Sequence, residues 1–274
     1  MSSLNGLAAT LSQNVTAVQK EIVTTQSELS SGKKTLNAAE VGIVTRLSAQ
    51  VSGYKNVATN VKSGLDLLSV TSTALSSTTT ILSQMKDIAT QAANAGLTTS
   101  DRIALNSTFG QLANQVASLL KGATVNSTNL LCTTAYLGET SVNTGDQVLQ
   151  TGLTSSNTTT LASALLDTTS AMVLTGNILT QTAAATYIDT LTSALSLVST
   201  KQSIVGAEQT GLKEQATAAL SMATNLQSTV DTIENIDETA LQAKLQQLNN
   251  QQSIDYYLIS QMNTAASAML TIFR

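Results

Sequence analysis

Each end of this chain carries one apolar stripe and nothing to cover it. Within residues 1–31, Leu4, Leu7, Leu11, Val15, Val18, Ile22 and Leu29 recur mostly at steps of three and four. Residues 241–273 answer with Leu241, Leu245, Leu248, Ile254, Leu258, Met262, Met269 and Ile272. Such spacing lines apolar side chains along one face of a helix. Both stripes are narrow with polar flanks, so neither end makes a core by itself and each requires another helix. The simplest solution pairs the two chain ends.

Composition narrows the class by what is missing. The 274 residues contain no His, no Trp and no Pro, and a lone Cys132. That removes the usual general base at neutral pH, the commonest metal ligand and any Cys/His zinc arrangement. No catalytic, metal-binding or cofactor-binding cluster stands out, and an enzyme would need a Ser–Lys or paired-carboxylate site instead. Missing Pro means few forced helix breaks, which suits long helices rich in Ala, Leu, Gln, Ser and Thr. Charged residues make up 11% of the chain and the net charge is −4, so no basic surface invites nucleic acid or an anionic membrane. The most apolar runs, such as Ala218–Met222 and Ala268–Phe273, fall well short of the roughly 20 residues that span a bilayer. The start Met1-Ser2-Ser3-Leu4-Asn5-Gly6 has neither the basic residues nor the apolar run of a cleavable secretory signal. Cys132 reads as a small apolar residue near a helix end, since a lone thiol forms disulfides only between chains.

Five segments follow along the chain. Residues 1–36 hold the first stripe, stopped at Leu29-Ser30-Ser31-Gly32 by a glycine. Residues 37–122 read as long helices, first on Val44, Leu47, Val51, Val57, Val61, Leu65, Leu68 and Leu75, then on Ile81, Leu82, Met85 and Ile88. Asn94-Ala95-Gly96 ends that helix and Thr99 or Ser100 caps the next, which carries Ile103, Leu105, Phe109, Leu112, Val116 and Leu119. In residues 123–176 the helical period fades. Short alternating runs such as Gln147-Val148-Leu149-Gln150 sit between turn-like Asn143-Thr144-Gly145-Asp146 and Gly152-Leu153-Thr154-Ser155-Ser156-Asn157, predicting one or two β-hairpins on an exposed face. Helix resumes over residues 177–232 on Ile188, Leu191, Leu195, Val198, Ile204 and Leu212, and residues 233–274 hold the second stripe. The expected fold is mainly α: long antiparallel helices in a coiled-coil bundle, terminal helices paired, with a small β-hairpin insert.

Several residues together resemble bacterial flagellin. They are Leu29-Ser30-Ser31-Gly32 ahead of a helix with Arg46, the Asn126-Ser127-Thr128-Asn129-Leu130-Leu131 stretch, Ile233-Glu234-Asn235-Ile236-Asp237, and the closing Leu270-Thr271-Ile272-Phe273-Arg274. The resemblance covers about residues 1–131 and 177–274. It implies a subunit that polymerises into the extracellular flagellar filament used for swimming, a homopolymer of many copies exported without a cleaved signal. It further implies an inner coiled coil built from the chain ends, on Leu4, Leu7, Leu11, Val15, Val18, Ile22, Leu29, Leu258, Met262, Met269, Ile272 and Phe273. The implied partners are an export chaperone at the C-terminal helix and the filament cap and hook-junction proteins.

This chain departs from the common pattern in its joint, its insert and one surface segment. The link between Gly32 and Arg46 is a few residues short and lacks an Asp-Asp-Ala run, and the insert is too small for a large outer domain. Where many flagellins carry the Arg-Val-Arg-Glu-Leu segment read by a vertebrate Toll-like receptor, this chain has Gln84-Met85-Lys86-Asp87-Ile88. Gln84, Lys86, Asp87 and Ile88 thus form a divergent version of that segment, and weakened recognition is expected.

The physics points the same way as the resemblance. Ordering costs about 1–2 kcal/mol per residue and lone helices are marginal in water, so the ends gain most of their burial from neighbouring copies. A repeated heterologous contact that does not close generates a helical filament. The alternatives are a hook–filament junction protein of the same architecture and a chemoreceptor-type signalling coil, the latter requiring membrane spans and Glu-rich heptads. Among smaller features, the Thr/Ser cluster Thr154, Ser155, Ser156, Thr158, Thr159 and Thr160 is a candidate for O-linked sugar. The sequons at Asn14, Asn106, Asn126 and Asn157 are chance matches expected of a Thr-rich chain. Tyr256-Tyr257 is expected to put one ring in the seam and one at its edge. Lys33, Lys34 and Arg46 are expected to be solvated or paired at the domain joint.

Overall fold

Thr and Ser are poor helix formers in isolation because their hydroxyls compete for backbone groups. Here they fold the competition back into the helix: Thr71 Oγ1 donates to Leu67 O at 2.8 Å inside the core, and Thr45, Thr59, Thr90, Thr192 and Thr224 make the same i−4 bond. With no proline to interrupt them, the helices run long. A computed structural model describes residues 2–133, 143–166 and 176–272. It contains α1 (Ser2–Ser31), α2 (Ala38–Ala92), α3 (Thr99–Gly122), α4 (Gln181–Glu234) and α5 (Glu238–Ile272). Between α3 and α4 lie β1 (Thr128–Asn129), β2 (Asn143–Thr144), β3 (Gln147–Gln150) and β4 (Thr158–Leu161). The chain forms two compact units, Met1–Ala49 with Asn225–Arg274, and Gln50–Thr224.

The second unit holds the larger core. Leu68, Leu75, Leu82 and Met85 of α2 meet Phe109, Val116 and Leu120 of α3 and Leu191, Val198, Val205 and Leu212 of α4 in one cluster. Phe109 and Tyr187 pack edge to face, centroids 5.7 Å apart, an arrangement aromatic quadrupoles favour. Arg102 staples the turn between α2 and α3. Its guanidinium donates to Ala92 O at 3.0 Å, Leu97 O at 2.9 Å and Asn94 O at 2.7 Å, satisfying carbonyls that a helix end and its turn leave open. The cap of α3 is Thr98, not Thr99 or Ser100. Thr98 Oγ1 accepts from Asp101 N and Asp101 accepts from Thr98 N, a reciprocal box, and only a carboxylate three residues on completes it.

Among the described residues of the insert, the strands are short and only partly follow its turn residues. β3 and β4 pair antiparallel, Gln147 opposite Leu161 and Gln150 opposite Thr158, with Gly152–Asn157 as the expected connection. Asn143-Thr144 is not part of a turn but a strand parallel to Thr128-Asn129, and the turn is confined to Gly145, at φ +86. Asn129 is fully buried and organises this region. Its Nδ2 donates to Leu120 O at 2.8 Å, closing the end of α3, while its Oδ1 accepts from Leu131 N at 2.7 Å and Cys132 N at 3.0 Å. Cys132 is buried beside it, as a small apolar residue should be, but in the irregular segment after β1 rather than near a helix end. Helix α4 starts at Gln181 rather than at Asn177; Ile178 N instead donates to Asn106 Oδ1 on α3 at 2.8 Å.

Candidate assembly surface

The joint between the paired ends begins with Gly32, whose φ of +68 is the left-handed conformation that glycine supplies at a helix stop. Glu28 Oε1 then accepts from Thr35 N at 2.8 Å. Asn37 caps α2, its Oδ1 accepting from Ala39 N at 3.0 Å and Glu40 N at 2.9 Å, while its own N donates to Glu40 Oε2. The two lysines are paired: Lys33 with Glu234 at 2.5 Å and Lys34 with Glu40 at 2.6 Å. The hydrogen bond to Glu234 holds the Lys33 ammonium above its ordinary pKa, and that to Lys34 holds the Glu40 carboxyl below its own. Arg46 is exposed. Lys34 N also donates to Glu234 O at 2.8 Å, tying the exit of α1 to the residues just before α5.

From that tie the two helices run side by side. Glu21 pairs with Lys244 at 2.7 Å, and Val18 and Ile22 pack on Leu248 with Leu245 alongside. Residue numbers rise along α1 as they fall along α5, so the coil is antiparallel. Its seam on α1 is Leu11, Val15, Val18, Ile22, Thr25 and Leu29, buried or half-buried in turn; on α5 it is Leu241, Leu245, Leu248, Gln252, Asp255, Ile259 and Met262. Both lines step strictly by four and three, the heptad of a coiled coil.

This seam rearranges the apolar stripes read from composition. Leu7, 58% exposed, falls off the α1 line. Ile254 at 59% and Leu258 at 43% face outward, because the heptad set by Leu241, Leu245 and Leu248 passes through Gln252 and Asp255 and leaves them on the far side. Neither tyrosine enters the seam: Tyr256 is 50% and Tyr257 62% exposed, with the Tyr257 hydroxyl accepting from Gln261 Nε2 at 2.7 Å. A step of six from Leu248 to Ile254 was the signal that a period of three and four had been left. Phe273 and Arg274 lie outside the described residues, as do the side chains of Leu4, Met269 and Ile272.

What remains is an uncovered apolar face. Ile254, Tyr257 and Leu258 stand within one turn of each other on α5, with Leu7 and Val23 exposed on α1. In the second unit, Gln84 and Asp87 are exposed, Lys86 and Ile88 half-buried, and Met85 fully buried. Thr154, Ser155, Ser156, Thr158 and Thr160 are exposed, whereas Thr159 is half-buried with its hydroxyl 3.1 Å from Gln215 Oε1. Among the described residues no group of three or more His, Cys, Asp or Glu is placed to hold a metal, and no helix is long and apolar enough to cross a membrane.

The described residues thus form long helices with the chain ends joined in an antiparallel coil, and Ile254, Tyr257 and Leu258 lie exposed on the outer side of α5. The family model described as the N-terminal helical region of bacterial flagellin matches residues 3–135. The Caulobacter vibrioides flagellin FljO is 27% identical over 96% of this chain and 94% of its own length, and a flagellin of Halalkalibacterium halodurans is 24% identical over 95% and 93%. The crystal structure of Bacillus cereus flagellin superposes with a TM-score of 0.53 at 26% identity, covering 63% of this chain and 94% of that one. The chain is thus similar to bacterial flagellins along nearly its whole length.

Proposed function

We propose that the outward faces of α1 and α5 are the surfaces through which this flagellin polymerises into the extracellular filament that drives swimming. The observation that carries the reading is the exposed Ile254, Tyr257 and Leu258 cluster on a helix whose opposite side is already taken by α1. Apolar patches of this kind mark interaction sites. A patch that packs on a different outer surface of the next copy makes a heterologous contact, which propagates as an open helix. Among the described residues, the buried cluster shared by α1 and α5 is Val18, Ile22 and Leu248 with Leu245, a small core for two long helices. Ends that stay loosely paired until assembly suit passage through a narrow export channel, with an export chaperone shielding α5 on the way and cap and hook-junction proteins receiving it.

Electron microscopy of the purified chain after addition of sheared filament seeds tests the reading. Long helical filaments that lengthen with added subunit are expected. A structure that saturates at a few copies on each seed would point instead to a junction protein, and seeds that fail to grow at any concentration would overturn the assignment of these faces.

A further inference from the structure

The coil contains a buried carboxylate oxygen with no hydrogen-bond partner among the described residues. Asp255 sits on the α5 seam, is 8% exposed, and its Oδ2 has no hydrogen-bond partner. From Ser2 to Gln19 no residue is charged, and from Leu245 to Ile272 Asp255 is the only one. Counting outward from the Val18–Leu248 contact in the antiparallel register places Asp255 at the level of Leu11. The nearest cations in register are Lys20, nine residues along α1 and so about 13 Å away, and Lys244, eleven residues along α5 or about 16 Å. Lys244 is already held by Glu21.

An isolated ionised carboxylate in an apolar seam is strongly unfavourable. Seam burial is deepest at Val15, Val18, Ile22 and Leu248; beyond Asp255, Leu11, Ile259 and Met262 are half-buried, as are Leu29, Leu241 and Leu245 at the other end. A Leu at the same heptad position would remove the cost and add packing, so the position is one where a stabler coil is a single substitution away.

We propose that Asp255 is an opener for the coil: it holds α1 and α5 near the edge of pairing in the free subunit, so that closure waits for other copies to pack around them. The last clause rests on the assembly reading above; the opening itself does not. Gln252, also on the seam, is uncharged and serves as the control for added apolar area without loss of charge.

Hydrogen–deuterium exchange on the full-length, unpolymerised chain at neutral pH reads the coil directly, through peptides covering residues 238–268. Those peptides are expected to exchange quickly in the wild type and at least tenfold more slowly in Asp255→Leu, with Asp255→Asn intermediate, Gln252→Leu changed by far less, and peptides of residues 50–224 unchanged in all four. Unchanged α5 exchange in Asp255→Leu would overturn the proposal, and so would slowing by Gln252→Leu as large as that by Asp255→Leu, since apolar area rather than charge would then be the cause. Filament growth on seeds is scored separately: loss of growth with the exchange pattern intact counts against the assembly reading and leaves the opener standing.

Discussion

Two carboxylates attach the strand exit after β4 to the rest of its unit. Ala162 N donates to Glu208 Oε1 of α4 at 2.9 Å, and Ser163 N to Asp146 Oδ1 at 2.7 Å. Their environments pull them in opposite directions. Burial pushes the Glu208 carboxyl above its ordinary 4.5, partly offset by the Ala162 bond and reinforced by Asp146, and its Oε2 is buried without a partner. The bond from Ser163 N holds Asp146 below its ordinary 3.8, with Lys201 helping. A raised folded pKa contributes stability that is fully present below the unfolded value and is lost as pH rises through the folded one; a lowered pKa contributes stability that is lost as pH falls through it. The two together predict a unit that gains stability as pH falls toward 4.5 and loses it below 3.8. Glu208→Gln should abolish the gain and leave the loss, read as the difference between wild-type and variant denaturation midpoints at each pH. A difference that does not vary between pH 7 and 4.5 would show that Glu208 is not the group responsible.

At the scale of elements, glycines report how closely the insert is seated. A Cβ built at Gly64 of α2 would overlap a Leu149 methyl of β3 and come within 3.2 Å of Leu212 of α4, whereas one at Gly110 of α3 meets nothing within 4 Å. Overpacking typically costs about 1–3 kcal/mol, and replacing a helix-interior glycine with alanine gains roughly 0.5–1 kcal/mol where space allows. Gly64→Val should therefore lower the thermal midpoint of this unit and Gly110→Ala should raise it; equal shifts of one sign would contradict the seating. None of this contact is visible in the chain, because a glycine within a helical pattern looks alike whether it makes room or stands open. Helix extents were legible, since they follow from apolar period, glycine stops and missing proline. The cap at Thr98 was not, because Thr98, Thr99 and Ser100 are equivalent until Asp101 selects one. The parallel pair of β1 and β2 was equally hidden: it joins Thr128-Asn129 to Asn143-Thr144, distant in sequence, with no local signature.

For the whole molecule, the same limit decided which apolar residues face in. The presence of stripes at both ends was plain in the sequence, and so was their pairing. Their register was not, because a heptad that passes through Gln252 and Asp255 scores poorly on hydrophobicity, while Ile254 and Leu258 score well and lie outside. The error is informative: it separates residues that hold the chain's two ends together from those left exposed, which the proposed assembly gives to the next subunit. The large core of residues 57–219 makes no use of either set. On the proposed reading, assembly and folding are carried by different parts of one chain.

Leu258→Asp tests that division most directly. Leu258 is 43% exposed in the lone subunit, so a carboxylate there stays solvated and the thermal unfolding of the Gln50–Thr224 unit should match wild type. In the proposed filament the same position is covered, and burying an unpaired charge costs several kcal/mol at every subunit added. Seeded elongation, followed by light scattering across subunit concentration, should be abolished or require a critical concentration raised at least a hundredfold. Elongation at the wild-type critical concentration would contradict the claim that the outward face of the paired ends builds the filament.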